Sequence, residues 1–264
     1  NELIYDRFEV QKVLVIAPYR VADDTWTTEA DKWDHLKHLR VSKVLGTSGE
    51  RIAALEADAD IYVINRENVT WLVNLTGKEW PFEMIVVDEL SSFKSNSAKR
   101  FKSLRIVRPL ARRFVGLTGT PAPNGLLDLW PQVYLIDRGE RLGKTYTGYK
   151  DRYFLPDRRN GFVVYSWTPK EGAKEAIEQK LSDICISMKA DDYLNLPAQI
   201  VNDVYVSMDR HEMRKYRELE KEKLLELDGK EITALSAAAV WGKLLQLANG
   251  AAYDGEGNVI PITD

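Results

Sequence analysis

Two short segments of this chain bring together residues able to do chemistry. The apolar run Met84-Ile85-Val86-Val87 ends in Asp88-Glu89-Leu90-Ser91. Adjacent carboxylates at the end of a buried strand are costly unless a cation or a water-handling task retains them. The pair suits nucleotide hydrolysis: Asp88 would hold Mg²⁺, directly or through water, and Glu89 would orient and deprotonate the attacking water. The plainer reading is a strand-end turn with two solvated acids. A second run, Arg113-Phe114-Val115-Gly116-Leu117, ends in Thr118-Gly119-Thr120-Pro121-Ala122-Pro123-Asn124. Glycine there permits a tight backbone, two hydroxyls can bridge to the acidic loop, and the prolines fix the exit. Either loop alone could be only a turn; together they point to one site.

The elements that must position these loops follow from the apolar pattern. Val13–Ala17, Ile61–Ile64, Met84–Val87 and Arg113–Leu117 are short, largely continuous apolar runs, and Val41–Leu45 is a weaker one. Runs apolar on both faces belong to strands covered on both sides, as in parallel sheets. Helical stretches separate them at Thr25–Leu39, Glu50–Ala59 and Ser97–Val107, the last stopped by Pro109. The alternation predicts a parallel α/β sheet with right-handed crossovers, and in such sheets ligands sit beyond the carboxyl ends of the strands. After Pro121 the spacing of Leu126, Leu129, Trp130 and Val133 predicts a helix capped near Asn124, with a break or kink at Pro131. Thr168-Pro169-Lys170-Glu171 has the form of a capping box leading a helix to about Ile184. Gln199–Val206 alternates like a half-buried strand. Helices are expected over Asp209–Leu227 and Ile232–Ala248, the second ended by Asn249-Gly250.

Composition bounds the rest. With 264 residues, 44% apolar and 29% charged, the chain has the make-up of a globular protein, and its 37 basic and 40 acidic residues leave a formal charge of −3. No apolar run approaches the ~18 residues of a membrane-spanning helix, so membrane residence is not expected. Cys185 is the only cysteine, which excludes an intramolecular disulfide and a Cys-rich zinc site. His35 and His38 with Asp31 or Asp34 read as a solvated helix face rather than a metal site. Between Lys94 and Arg113 lie eight positive charges (Lys94, Lys99, Arg100, Lys102, Arg105, Arg108, Arg112, Arg113) and no acid. Such a run can track a phosphate backbone, or be a solvated helix whose charges agree in sign.

These segments, taken in order, resemble the helicase-like, ATP-driven DNA translocases of superfamily two, specifically the Swi/Snf-type branch. Val13–Pro18 with Val21, Trp26, Glu29 and Trp33 resembles motif Ia and its helix. Ile61–Glu67 is similar to motif Ib, and Val86-Val87-Asp88-Glu89 with Phe93-Lys94-Ser95 to motif II. Leu117–Pro121 followed by Asn124, Leu126 and Leu129-Trp130 resembles motif III with its Leu-Trp extension. Leu196-Pro197, Val204–Met208, Tyr216 and Leu244–Gly250 resemble the segment leading towards a second motor lobe.

The resemblance implies a RecA-like (P-loop NTPase) sheet flanked by helices, with an attached helical subdomain. Residues 1–135 would be a partial first lobe, 136–195 the helical subdomain, and 196–264 the strand and helices leading to a second lobe. Asp88 and Glu89 become the catalytic pair, with Asp88 on the metal. Ser91, Thr118, Gly119 and Thr120 would couple ATP state to DNA grip. Tyr19, Arg20, Asn65, Arg66 and Lys94 would face DNA through its backbone rather than its base sequence. ATP and Mg²⁺ are the implied cofactors, and the parent would be a DNA-dependent ATPase, cytoplasmic in a bacterial or phage-infected cell and associated with nucleic acid. The alternative is an ATPase-inactive DNA-binding module. Three departures stand out. Ser91 occupies the place where the family's motif II usually has histidine. No strand-following G-x-x-x-x-G-K-[ST] occurs, since Gly143-Lys144-Thr145 has Arg138 where the first glycine belongs. The arginine-bearing motifs of a second lobe do not occur. The expectation is an excised fragment with little hydrolysis of its own, a poorly covered region of sheet, and a tendency to self-associate.

Overall fold

The computed structural model describes residues 1–160, 163–188, 200–222, 224–227, 230–233 and 237–261. They divide into two compact units, Asn1–Ser187 and Met188–Asp264.

The first unit is built on five parallel strands, β1 (Val13–Ala17), β2 (Val41–Val44), β3 (Ile61–Asn65), β4 (Met84–Asp88) and β5 (Arg113–Leu117), in the order β2-β3-β1-β4-β5. β1 lies at the centre and is buried along its whole length. Its side chains alternate between two cores, as the pleat requires. Leu14 and Ile16, with Tyr62, Ile64, Ile85 and Val87, enter the larger cluster. Val13, Val15 and Ala17, with Val63 and Val86, enter a smaller one. The helices α2 (Ser48–Glu56), α3 (Val69–Thr76), α4 (Lys99–Val107) and α5 (Leu129–Asp137) contribute to the larger cluster, and α1 (Trp26–Lys32) to the smaller. The capping box of α2 is complete, Thr47 and Glu50 satisfying each other's backbone N–H groups.

β5 departs from a doubly buried strand. It ends the sheet, and Val115 and Leu117, which share a face with the smaller core, are 38% and 44% exposed. The poorly covered region of sheet lies here.

Several local expectations are corrected. Pro131 causes no break, because α5 begins at Leu129 and the proline sits in the first turn, where an N–H has no helical acceptor. The helical run after β1 ends at Lys32 rather than Leu39. Thr168 caps no helix: Trp167–Pro169 is a strand paired antiparallel with Phe154–Pro156, and α7 (Ala173–Leu181) starts after Gly172, whose φ of +72° suits glycine. α6 (Tyr146–Tyr153), capped by the Thr145 hydroxyl, runs directly into the strand Phe154–Pro156.

In the second unit, Asp209 and Glu212 form a capping box for the helix Arg210–Glu222. That helix stops before Leu224–Leu227, which pairs with Lys230–Thr233. A second helix, Ala237–Ala248, packs Val240, Leu244 and Leu247 against Leu219 and the hairpin Ala251–Tyr253/Val259–Pro261. The segment 200–206 forms no strand and is exposed throughout; Leu196-Pro197 lies outside the described residues.

Candidate functional site

Sheet register places the motif-bearing loops on one rim. Ile16 pairs with Ile64 and Val87, and Val87 with Gly116, so β1, β3, β4 and β5 end within a residue of one another. The rim therefore carries Pro18-Tyr19-Arg20, Asn65-Arg66, Asp88-Glu89 and Thr118-Gly119-Thr120.

The acid pair and the hydroxyl-bearing bend meet there. Thr118 Oγ1 donates to Glu89 Oε1 at 3.1 Å, and the Ser91 hydroxyl donates to the same oxygen. Among the described residues Glu89 Oε2 has no partner. The Glu89 backbone adopts φ 58°, ψ 62°, a left-handed conformation that costs a non-glycine residue about 1–2 kcal/mol. Such strain persists where surrounding structure enforces it, commonly at functional sites. The enforcing contacts are Ser91 and Thr118 on its carboxylate and the buried anchors Leu90 and Phe93 that follow.

Asp88 accepts one hydrogen bond, from Trp26 Nε1 at 3.4 Å. Its other oxygen has no partner among the described residues, which contain no group of three or more His, Cys, Asp or Glu able to hold a metal by themselves. The donors present fit a hard cation that takes most of its ligands from water and phosphate, the usual habit of Mg²⁺.

The bend after β5 is held from below. Thr120 N–H donates to Thr118 Oγ1 at 3.2 Å, and buried Gln132 on α5 donates to the carbonyls of Pro121 (2.5 Å) and Asp128 (2.8 Å). Gly116, beneath it, leaves no room for a side chain: a Cβ would lie 2.3 Å from Leu90 Cδ2. Sequence alone assigns no site role to Trp26 or Gln132. Their signal is present only as Trp26 within the motif Ia helix and as the phase of α5, which turns position 132 inward.

The positions expected to face nucleic acid differ in availability. Tyr19 is 54% exposed and Arg20 is exposed. Arg66 is half-buried and paired with Glu67 at 2.9 Å. Asn65 is buried, its amide donating to Glu67 and accepting from Asn68. The Lys94 amine is unpartnered among the described residues.

The basic run divides sharply. Arg108 is buried and donates to the carbonyls of Leu135, Ala111 (2.8 Å) and Ile136 (2.6 Å), with its guanidinium over Phe114. Burial lowers its pKa from the ordinary arginine value. Arg113 pairs with Glu9, Arg112 donates to the Glu9 carbonyl, and Arg105 lies 4.6 Å over the Tyr134 ring. Lys99, Arg100 and Lys102, like Lys94, have no acidic partner among the described residues. Gly143-Lys144-Thr145 is structural: Gly143 O accepts from Trp130, the Lys144 amine donates to Arg138 O, and Thr145 caps α6.

The family model described as SNF2-related domain matches residues 3–250. Protein p41 of Acyrthosiphon pisum secondary endosymbiont phage 1 is 40% identical over 251 residues, covering 93% of this chain and 55% of p41, so the chain spans about half of that relative's length. The DNA excision repair protein ERCC-6-like of Mus musculus is 29% identical over 161 residues, 58% of this chain and 12% of that protein. The Sulfolobus solfataricus SWI2/SNF2 ATPase core, solved in complex with dsDNA, superimposes with a TM-score of 0.56 at 24% identity, covering 81% of this chain and 42% of that one, a likeness of fold.

Proposed function

The chain belongs to the SNF2-related domain family, and from that premise we propose that it is the first RecA-like lobe of a DNA-dependent ATPase that couples ATP hydrolysis to movement along DNA. Residues 1–135 serve as the lobe proper, 136–195 as its helical subdomain, and 196–264 as the approach to a second lobe. The observation that carries this reading is the meeting of Glu89, Ser91 and Thr118 beside Asp88 on the carboxyl rim.

Asp88 would hold Mg²⁺ through the oxygen that Trp26 leaves free. The ion supplies neutralisation of charge on the phosphate oxygens. Glu89 Oε2 orients the attacking water and accepts its proton, while Ser91 and Thr118 fix Oε1 so that the carboxylate cannot rotate. Ser91, at the place of the family's histidine, can anchor Glu89 by hydrogen bonding but does not relay a proton at neutral pH. Thr118, Gly119 and Thr120 link the acid pair to α5 through Gln132, a route by which nucleotide state reaches the rest of the lobe. Tyr19, Arg20, Arg66 and Lys94 contact the DNA backbone without reading sequence, and Asn65 holds the turn that presents Arg66.

The isolated chain, which has no G-x-x-x-x-G-K-[ST] run to cradle phosphates, hydrolyses little ATP. Its open β5 edge favours self-association, which sizing in solution tests. The decisive experiment for the enzyme is DNA-stimulated hydrolysis by the full-length protein carrying Asp88→Asn or Glu89→Gln. Each should reduce turnover at least 100-fold; unchanged turnover refutes the assignment.

A further inference from the structure

Among the described residues Trp26 is the one side chain that hydrogen-bonds to the Asp88 carboxylate, through an indole N–H 3.4 Å from Oδ2. The indole donates and cannot accept, so it can hold a carboxylate without competing for a cation, and it occupies one oxygen while leaving the other open. Its backbone is continuous with the rim loop: residues 19–32 form one helical run, with a π-helical segment at Val21–Thr25 immediately before Trp26. Tyr19 and Arg20 stand exposed at the start of that run, and Ala22 N–H donates to Pro18 O at 2.9 Å, fixing the run to the end of β1. A π segment inside a helix is an irregularity found often at functional sites, and it allows one part of a helix to turn against the next. The indole is half-buried against the smaller core, which includes Val15, Ala17 and Val86.

From this juxtaposition we infer that Trp26 is a positioning residue that couples occupancy of the Tyr19–Arg20 loop to the orientation of the Asp88 carboxylate. Anionic backbone engaged at Tyr19 and Arg20 displaces the helical run, and the long indole contact shortens or breaks. The carboxylate then changes its presentation to the metal, and the metal's arrival acts back on the loop, since coupling between binding sites is reciprocal. The inference rests on the proposed metal role of Asp88.

The test follows the Trp26 indole ¹⁵N–¹H resonance in full-length, isotope-labelled protein, assigned by through-bond experiments on the native chain and checked by Trp26→Phe. Addition of Mg²⁺ with a non-hydrolysable ATP analogue should shift it, and duplex DNA should shift it again. In parallel, Trp26→Phe should raise the Mg²⁺ concentration for half-maximal turnover about 5–10-fold and reduce DNA stimulation by a similar factor, with KM for ATP little changed. A resonance unmoved by either ligand overturns the inference even where the variant does not fold, because that measurement uses the native chain. If Asp88→Asn abolishes turnover while the native resonance is unmoved by the ligands and Trp26→Phe keeps the wild-type Mg²⁺ dependence, the coupling fails and the metal assignment stands. If Asp88→Asn turns over normally, both fail.

Discussion

Replacing Arg108 by methionine separates the two readings of the basic run, because the structure gives this side chain a task unrelated to phosphate. Arg108 is 6% exposed, and its guanidinium serves three carbonyls, two of them (Leu135 and Ile136) in the last turn of α5, where no backbone donor follows. The third, from Ala111, fixes the approach to β5. Methionine fills much of the same space but leaves all three acceptors without a donor, at about 1–3 kcal/mol each for those kept from water. Relief from burying a guanidinium returns part of that sum. The net loss should be about 2–4 kcal/mol, a large share of the ~5–15 kcal/mol typical of a folded domain. In urea this corresponds to a midpoint lowered by about 1–2 M at an unchanged slope. Arg108→Lys keeps the charge but not the fork, and should recover less than half. A methionine variant that unfolds within about 0.3 M of the wild type, or that keeps its stability yet binds DNA with a weaker salt dependence, would show that Arg108 does not hold the end of α5.

Alanine at Lys94, Lys99, Arg100 or Lys102 should act in the opposite way, leaving stability within about 0.5 kcal/mol. For those that meet phosphate, each replacement should lower the slope of log affinity against log salt by about 1, read by fluorescence anisotropy on duplex DNA. Gly116→Ala forces Leu90 from its place under the acid pair and should cost about 1–3 kcal/mol in thermal or chemical unfolding; a neutral result would mean that Leu90 is free to move. At Asp60, burial would raise the pKa, but hydrogen bonds from Arg40 and Tyr5 outweigh it and hold the carboxyl below the ordinary aspartate value. Its stabilisation is therefore full above about pH 4 and fades as pH falls through the lowered folded-state value. The stability gap between wild type and Asp60→Asn should close on acidification, and a gap independent of pH contradicts the pairing. In a double-mutant cycle on turnover, Glu89→Gln and Thr118→Val should be strongly non-additive, since the Thr118 hydroxyl donates directly to the Glu89 carboxylate.

The parallel sheet was legible because β1, β3 and β4 are covered on both faces and carry uninterrupted apolar runs. β5 carries the same kind of run yet stands at the edge: composition records what a strand can bury, and the neighbour that would cover it is a matter of topology. The acid pair and the threonine bend were visible as residues, and their meeting follows from adjacent parallel strands ending at one level. Trp26 reaches Asp88 across 62 positions, a contact no local pattern records. The basic run misled in part, because charge alone does not distinguish Arg108, wedged under a helix end, from Lys99 in solvent. Thr168-Pro169 was misread because strand pairing with Phe154–Pro156 overrides a local capping signal.

The central claim is that Asp88 and Glu89, braced by the bend at Thr118, form the metal and water site for a nucleotide. Locating Mn²⁺ by anomalous scattering in crystals of the full-length protein with a non-hydrolysable ATP analogue tests it most directly. The ion should lie on the carboxyl rim of the sheet, bound to Asp88 at about 2.1–2.2 Å or through a single water, with Glu89 facing the γ-phosphate. An ion at the opposite rim, or a nucleotide seated at Gly143-Lys144-Thr145, would contradict it.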